Sequence, residues 1–321
     1  MNEEYLEYLK NKEKLIKPSG FDVDEKELNS HLFDFQKFLV KRALQYGKYA
    51  IFSNCGTGKG IVQLDFAEKV VKYTNKPVLI LAPLAVSLQT IEEGKKFGIE
   101  VHQYFGQTHS NIYITNYEQV DNIDCKLFSG IVLDESGILK NFESKTKNKI
   151  LEKFDKTPYK LACSATPSPN DPMELGNHAE FLNIMTRNEM LSKYFVHDSG
   201  NTSKWRLKKH SENLFWQFIA QWSIMFCTPQ DIGFDTKGYV LPNLKYIEEI
   251  IETESLHGFF NKKAISATNF NQELRDTMNL RLNRVAEIIN SKPNEFFIIW
   301  VKQNIEADYL RKLIPDMIEV R

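Results

Sequence analysis

Ser53-Asn54-Cys55-Gly56-Thr57-Gly58-Lys59-Gly60 follows a short apolar run and precedes an amphipathic stretch from Ile61 to Lys72. A strand, a glycine turn and a helix in that order present successive backbone N–H groups and the positive end of a helix to phosphate oxygens. Gly56, Thr57 and Gly58 would form the cradle, Lys59 would reach the β- and γ-phosphates, and Gly60 would open the helix. One departure is chemically specific. Such loops ordinarily end in Ser or Thr, whose hydroxyl binds Mg²⁺, and Gly60 has no side chain to supply that ligand. If only this ligand is missing, Gly60→Thr is expected to raise Mg²⁺-dependent turnover.

Ile131-Val132-Leu133-Asp134-Glu135-Ser136 is an apolar run that ends in two acids. In nucleotide hydrolysis a strand of this form carries one carboxylate to Mg²⁺ and another to the attacking water, roles that fall here to Asp134 and Glu135. Taken alone, acids at a strand end are ordinary turn residues. The glycine loop upstream gives the pair its meaning, and the carboxylates are expected to face the triphosphate from the neighbouring strand. Ser164-Ala165-Thr166-Pro167 follows another apolar run. Ser164 and Thr166 are candidates for coupling the acidic pair to other parts of the protein, although the segment by itself reads as a turn before proline.

These residues need a scaffold that delivers several strand ends to one place. From Leu32 to Thr166 short apolar runs alternate with amphipathic stretches, the pattern of a parallel α/β sheet with crossover helices. Strands are predicted at Tyr49 to Ser53, Pro77 to Ala82, Asn111 to Thr115, Gly130 to Leu133 and Tyr159 to Ser164. The division is an extension over 1–30, a nucleotide-binding lobe over 31–168, a mainly helical insertion over 169–240 and an incomplete second lobe over 241–321. In the insertion, Leu214 with Phe218 and Trp222 with Phe226 have the i, i+4 spacing of one helix face. In the last segment strands are predicted at Lys245 to Ile251 and Phe296 to Val301, with another from Met317. Helices are predicted near Gln272 to Asn290 and Ile305 to Leu313.

Hydrophobic residues make up 42% and charged residues 26% of the 321, the balance of a globular chain. The net charge of −1 gives no global basic field, so any polyanion contact must be local. The candidate patch is Lys204, Arg206, Lys208, Lys209 and His210, interleaved with Trp205; a solvated helix or loop face is its plain alternative. Cys55, Cys125, Cys163 and Cys227 have no C-x-x-C spacing, and the histidines form no HxxxH or HxH group, so neither a disulfide framework nor a zinc site is indicated. The N-terminus lacks a secretory apolar core, and no run of about 18 apolar residues occurs, so a cytoplasmic protein without a membrane partner is expected.

The order Gly56-Thr57-Gly58-Lys59, Asp134-Glu135, Ser164-Ala165-Thr166 resembles motifs I, II and III of superfamily 2 helicases of the DEAD/DEAH-box type. Asp134-Glu135-Ser136 with Leu139-Lys140-Asn141 resembles the Swi/Snf-like branch, with Ser136 and Gly137 in place of its usual Ala-His. Pro169 to Asn177 is similar to helicases encoded by phages and prophages. The resemblance implies a RecA-like P-loop NTPase lobe that uses ATP and Mg²⁺ and moves on DNA, expected to be double-stranded. It implies that Gln36 reads the adenine edge, and that Asn116 and Tyr117, in the T-x-Y-E-like segment, lie along the DNA backbone. Lys140, Asn141 and Lys145, just after the acidic pair, are candidates for a phosphate backbone by position alone, with plain surface side chains as the alternative.

Motifs V and VI, with the arginine that stabilises charge on the transferring phosphoryl group, are not found before Arg321. A truncated chain, or a partner chain or downstream segment that supplies them, is therefore expected. Two alternatives stay open: a nucleotide- and DNA-binding fragment of weak or no activity, and the motor subunit of a restriction-modification system.

Overall fold

Apolar runs in the first part of the chain become strands buried on both faces. The computed structural model describes residues 16–106, 109, 111–140, 144–198, 201–239, 242–251 and 267–319. The chain divides into two units, Met1–Leu241 and Pro242–Arg321. In the first unit, β1 (Lys48–Ser53), β2 (Val78–Ala82), β3 (Val101–Gln103), β4 (Ile112–Asn116), β5 (Gly130–Leu133), β6 (Tyr159–Ser164) and a strand at Ser223–Phe226 form one sheet in the order β3-β4-β2-β5-β6-β1 and then that last strand. Every pairing in it is parallel. All residues of β2, β5 and β6 are buried, as a parallel sheet covered on both sides requires.

Successive side chains leave the sheet on opposite faces. Ile51, Ile80, Val132 and Leu161 pack with α1 (Asp34–Tyr46) and α2 (Lys59–Thr74), through Leu39, Val40, Leu64 and Phe66. Phe52, Leu79, Leu81, Ile131 and Leu133 pack on the other side with Phe181, Phe215 and Trp222. Two more crossover helices, α3 (Ser87–Phe97) and α4 (Lys145–Lys153), complete the layers. Because the strands are parallel, Ser53, Ala82, Asn116, Leu133 and Ser164 all end at one edge. The sheet thus gathers the glycine loop, the acidic pair and the Ser-Ala-Thr segment at its carboxyl edge.

The stretch predicted as a mainly helical insertion does carry helices: α5 (Leu175–Phe181), α6 (Arg187–Tyr194) and α7 (Glu212–Trp222). It also carries an antiparallel hairpin, β7 (Phe195–Asp198) with β8 (Asn201–Leu207), and its end returns to the main sheet as β9 (Ser223–Phe226), parallel to β1. Phe215, Phe218, Ile219 and Trp222 form the buried face of α7. Phe226 belongs to β9 instead, because the chain turns extended at Ser223, φ −142° and ψ 163°.

In the second unit α8 (Ala267–Asp276), α9 (Met278–Asn290) and α10 (Asn304–Leu313) form, so the helix predicted near Gln272 to Asn290 is broken at Thr277. The Arg281 guanidinium donates to Glu306 Oε1 at 2.7 Å, and Glu306 Oε2 accepts from the backbone N–H groups of Lys302 and Gln303, tying α9 to the start of α10. The strands predicted at Lys245 to Ile251 and Phe296 to Val301 are not formed: neither segment is assigned to a strand, and the described residues from Met317 onward form none either. An extended apolar segment becomes a strand only when a partner completes its ladder. No helix among the described residues is long and apolar enough to cross a membrane.

Candidate functional site

Position 58 holds the glycine loop in shape. Gly58 has φ +76°, and a Cβ there would overlap the Gln36 side-chain nitrogen, so the left-handed backbone and the close approach both demand glycine. Gln36 is buried; its Nε2 donates to Thr57 O at 3.0 Å, and its Oε1 accepts from Phe33 N at 3.0 Å at the start of α1. The amide expected to read adenine therefore ties the loop to the start of α1. Thr57 Oγ1 donates to Asn54 O at 3.0 Å and lies 2.8 Å from Ser53 Oγ. The Lys59 ammonium donates to Ser53 O and Asn54 O at 3.0 and 3.1 Å.

The acidic pair sits across one intervening strand, not on the neighbouring one: the order is β5-β6-β1. It still reaches the loop helix, because Gln63, one turn beyond Lys59 on α2, donates from Nε2 to Asp134 Oδ1 at 2.7 Å. Asp134 is half-buried. Glu135 is exposed and occupies the left-handed region at φ 51°, an uncommon conformation for a side-chain-bearing residue and one that clusters at functional sites. Tyr117 donates from its hydroxyl to Asp134 O at 2.6 Å with its ring buried. Burial and then the Asp134 and Glu135 carboxylates push that phenol well above its usual range, so it stays a donor. Glu93 of α3 also enters the site. Its carboxyl is raised by burial first and by the Asp134 charge second, against Lys96.

A strand-loop-helix that offers amides and a lysine, facing a carboxylate held by a glutamine, can grip a triphosphate and one divalent cation. No group of three His, Cys, Asp or Glu side chains gathers among the described residues. Mg²⁺ in nucleotide sites needs only one or two carboxylates beside the phosphates and water, so this donor set fits it.

No protein-family model matches the chain, and no curated protein matches it by sequence. Solved structures do. A SWI2/SNF2 ATPase core of Sulfolobus solfataricus in complex with dsDNA is similar at 20% identity with a TM-score of 0.52, over 64% of this chain and 46% of that one. The SWI2/SNF2 ATPase core domain of the same organism matches at 20% identity and a TM-score of 0.50, over 65% of this chain and 48% of that one. The fold is that of a RecA-like α/β lobe. The match covers under half of the length of either structure.

Behind the acidic turn of the lobe, the Ser-Ala-Thr segment closes in. Ser164 is buried and its Oγ accepts from Thr166 N at 3.1 Å, while Thr166 is exposed. A Cβ on Gly137 would lie 3.6 Å from Thr166 O and 3.7 Å from Ser164 Oγ, so the turn after the acids packs directly on this segment. Ser136 Oγ lies 3.1 Å from His178 Nε2 on α5, both fully buried, and burial pushes the imidazole down to about 4. Asn177 next to it donates to Leu139 O and Lys140 O.

The candidate polymer contacts of the lobe divide. Lys140 is exposed and Asn141 lies outside the described residues. Asn116 Oδ1 accepts from Gln119 N at 3.2 Å as the cap of the following turn, and Tyr117 is buried. The basic run falls largely on β8 and the turn after it, with Trp205 against His197 at 3.7 Å between ring centroids. Lys208 donates to Ser192 O and Lys193 O at 2.9 and 3.0 Å, capping the end of α6, because unpaired helix carbonyls attract a nearby ammonium. Arg206, Lys209 and His210 remain exposed.

Reading the motifs missed Gln63, Glu93 and His178. Gln63 stands four residues after Lys59, a spacing that returns it to the same helix face. Glu93 and His178 carry no such signal, because they come from other crossovers.

Proposed function

We propose that the lobe binds ATP and Mg²⁺ and is the nucleotide-binding part of a superfamily 2, Swi/Snf-like motor that acts on duplex DNA. One observation carries the reading: Gln63 joins the Asp134 carboxylate to the helix that opens at Lys59. The likeness to a SWI2/SNF2 ATPase core in complex with dsDNA supports the choice of polymer.

In this reading Lys59 exchanges the carbonyls of Ser53 and Asn54 for phosphate oxygens, and the loop amides hold the rest of the triphosphate tail. Asp134 would hold Mg²⁺, which when bound neutralises charge on the phosphates. Glu135 orients the water and takes its proton. Gln36 holds the loop against α1 and offers its free amide hydrogen to the base. Ser164 and Thr166, packed on the turn after Glu135, relay its position to the rest of the motor. Of the sequence candidates for DNA, which include Asn116, Tyr117, Lys140, Asn141, Lys145, Arg206, Lys208 and Lys209, the exposed Lys140, Arg206 and Lys209 are the phosphate contacts of this reading.

ATP turnover with and without duplex DNA tests the reading. Lys59→Ala and Glu135→Gln are each expected to lower turnover at least ~100-fold; equal turnover by wild type and Lys59→Ala sinks it. A second reading, a binding module that does not hydrolyse ATP, is favoured by the missing hydroxyl at Gly60, and nucleotide binding without turnover would support it. A methyltransferase or nuclease gene beside this one would favour a restriction-modification motor, and phage genes a phage helicase.

A further inference from the structure

Gly60 lacks the side chain that would bind Mg²⁺, yet the space beside it is filled. A Cβ on Gly60 would overlap Glu93 Oε2 and lie 3.1 Å from Glu93 Cδ and 3.3 Å from its Oε1. Glu93 is carried by α3, the crossover helix after β2, and its carboxylate occupies the volume in which a serine or threonine at position 60 would stand.

The surroundings of that carboxylate are unusual. Among the described residues no hydrogen bond or ion pair holds it, and burial first, then the like charge of Asp134, disfavour its charged form against Lys96. Asp134 has Gln63 as a neutral donor, and the Lys59 ammonium is turned to backbone carbonyls. Lys96 opposes that like charge without outweighing it, so the two partly buried carboxylates still repel each other. A divalent cation at the mouth of the glycine loop relieves that repulsion.

We propose that Glu93 supplies, directly or through a bound water, the oxygen ligand to nucleotide-bound Mg²⁺ that Gly60 cannot. The assignment rests on the nucleotide reading of the site. Glycine at position 60 leaves room for the Glu93 carboxylate, whose free end any larger residue would push aside. The simple expectation that Gly60→Thr raises turnover is therefore replaced: alone, it displaces Glu93 and weakens the metal.

Binding of Mn²⁺ in the presence of ADP, followed by electron paramagnetic resonance on the whole chain, tests this without reference to turnover. Glu93→Gln keeps the shape and removes the charge; it is expected to weaken Mn²⁺ binding to the ADP complex about tenfold or more. ADP binding in EDTA should be unchanged. Glu92→Gln, on the adjacent exposed carboxylate, should leave Mn²⁺ binding as in wild type. Gly60→Ser combined with Glu93→Ala should recover Mn²⁺ relative to Glu93→Ala alone, since a hydroxyl then enters the vacated space. Wild-type Mn²⁺ affinity in Glu93→Gln that still binds ADP overturns the inference and leaves the nucleotide reading standing. Failure of the wild type to bind ADP overturns both.

Discussion

The segments VLILA at Val78–Ala82 and FFIIWV at 296–301 are equally apolar, and their fates are opposite. The first is the core strand β2, wholly buried between β4 and β5. The second belongs to the unit Pro242–Arg321 and has no strand partner among the described residues, with Trp300 90% exposed and Ile298 84% exposed. Both have the composition of a buried strand, and only one has neighbours on either side. Hydrophobic content makes a strand worth burying; the ladder and the flanking helices decide whether it is buried.

The largest test of this contrast is a matched truncation. Leu81→Ala removes a side chain with no exposure from the middle of the sheet and is expected to cost about 4 kcal/mol. Ile298→Ala is expected to change stability by less than ~0.5 kcal/mol, because its side chain is already in water. Denaturant unfolding monitored by regional hydrogen exchange measures both. A cost for Ile298→Ala comparable with that of Leu81→Ala would mean that the segment is covered in solution and would erase the contrast.

Acid should separate the two units next. His178 is buried in the first unit and its imidazole is pushed from 6.5 down to about 4. Above pH 6.5 the ring is neutral in both folded and unfolded chains. As pH falls through the window from 6.5 to 4 the unfolded chain takes up the proton first, so stability is lost, by about 3 kcal/mol in all. His178→Gln should flatten that part of the profile for amides of β1, β5 and β6, and an unchanged slope would show that another group carries it.

Glu306 in the second unit works in the opposite sense and lower on the scale. Burial raises its carboxyl, but the Arg281 guanidinium and the N–H groups of Lys302 and Gln303 outweigh it and hold the group below 4.5. Its contribution is present above that value and is lost as pH falls through the lower folded value. Glu306→Gln should destabilise α10 by about 1 kcal/mol at pH 7, with the difference from wild type vanishing in stronger acid. Exchange rates in α10 that do not respond to the substitution would mean that the Arg281 contact is idle.

Much of the first unit was legible because its signals are local. The five strands expected between Tyr49 and Ser164 form within one residue of their predicted ends, since each is a short apolar run bounded by turn residues. β3 and β9 escaped notice: Val101–Gln103 is only three residues long, and Ser223–Phe226 follows α7 without a glycine or proline to mark the change. The basic run at Lys204 to His210 was visible as charge, but that Lys208 caps α6 depends on the hairpin folding back over Ser192 and Lys193.

Residue type and order alone determined the glycine loop, the acidic pair and the parallel α/β pattern, because each depends on neighbours within a few positions. Tertiary structure decided that β6 stands between the loop strand and the acid strand, that Gln63 closes the gap, and that Glu93 fills the hollow beside Gly60. Those contacts join residues about 30 to 70 positions apart in the chain, at a distance where sequence spacing carries no information and only the packing of crossovers on a sheet brings the groups together.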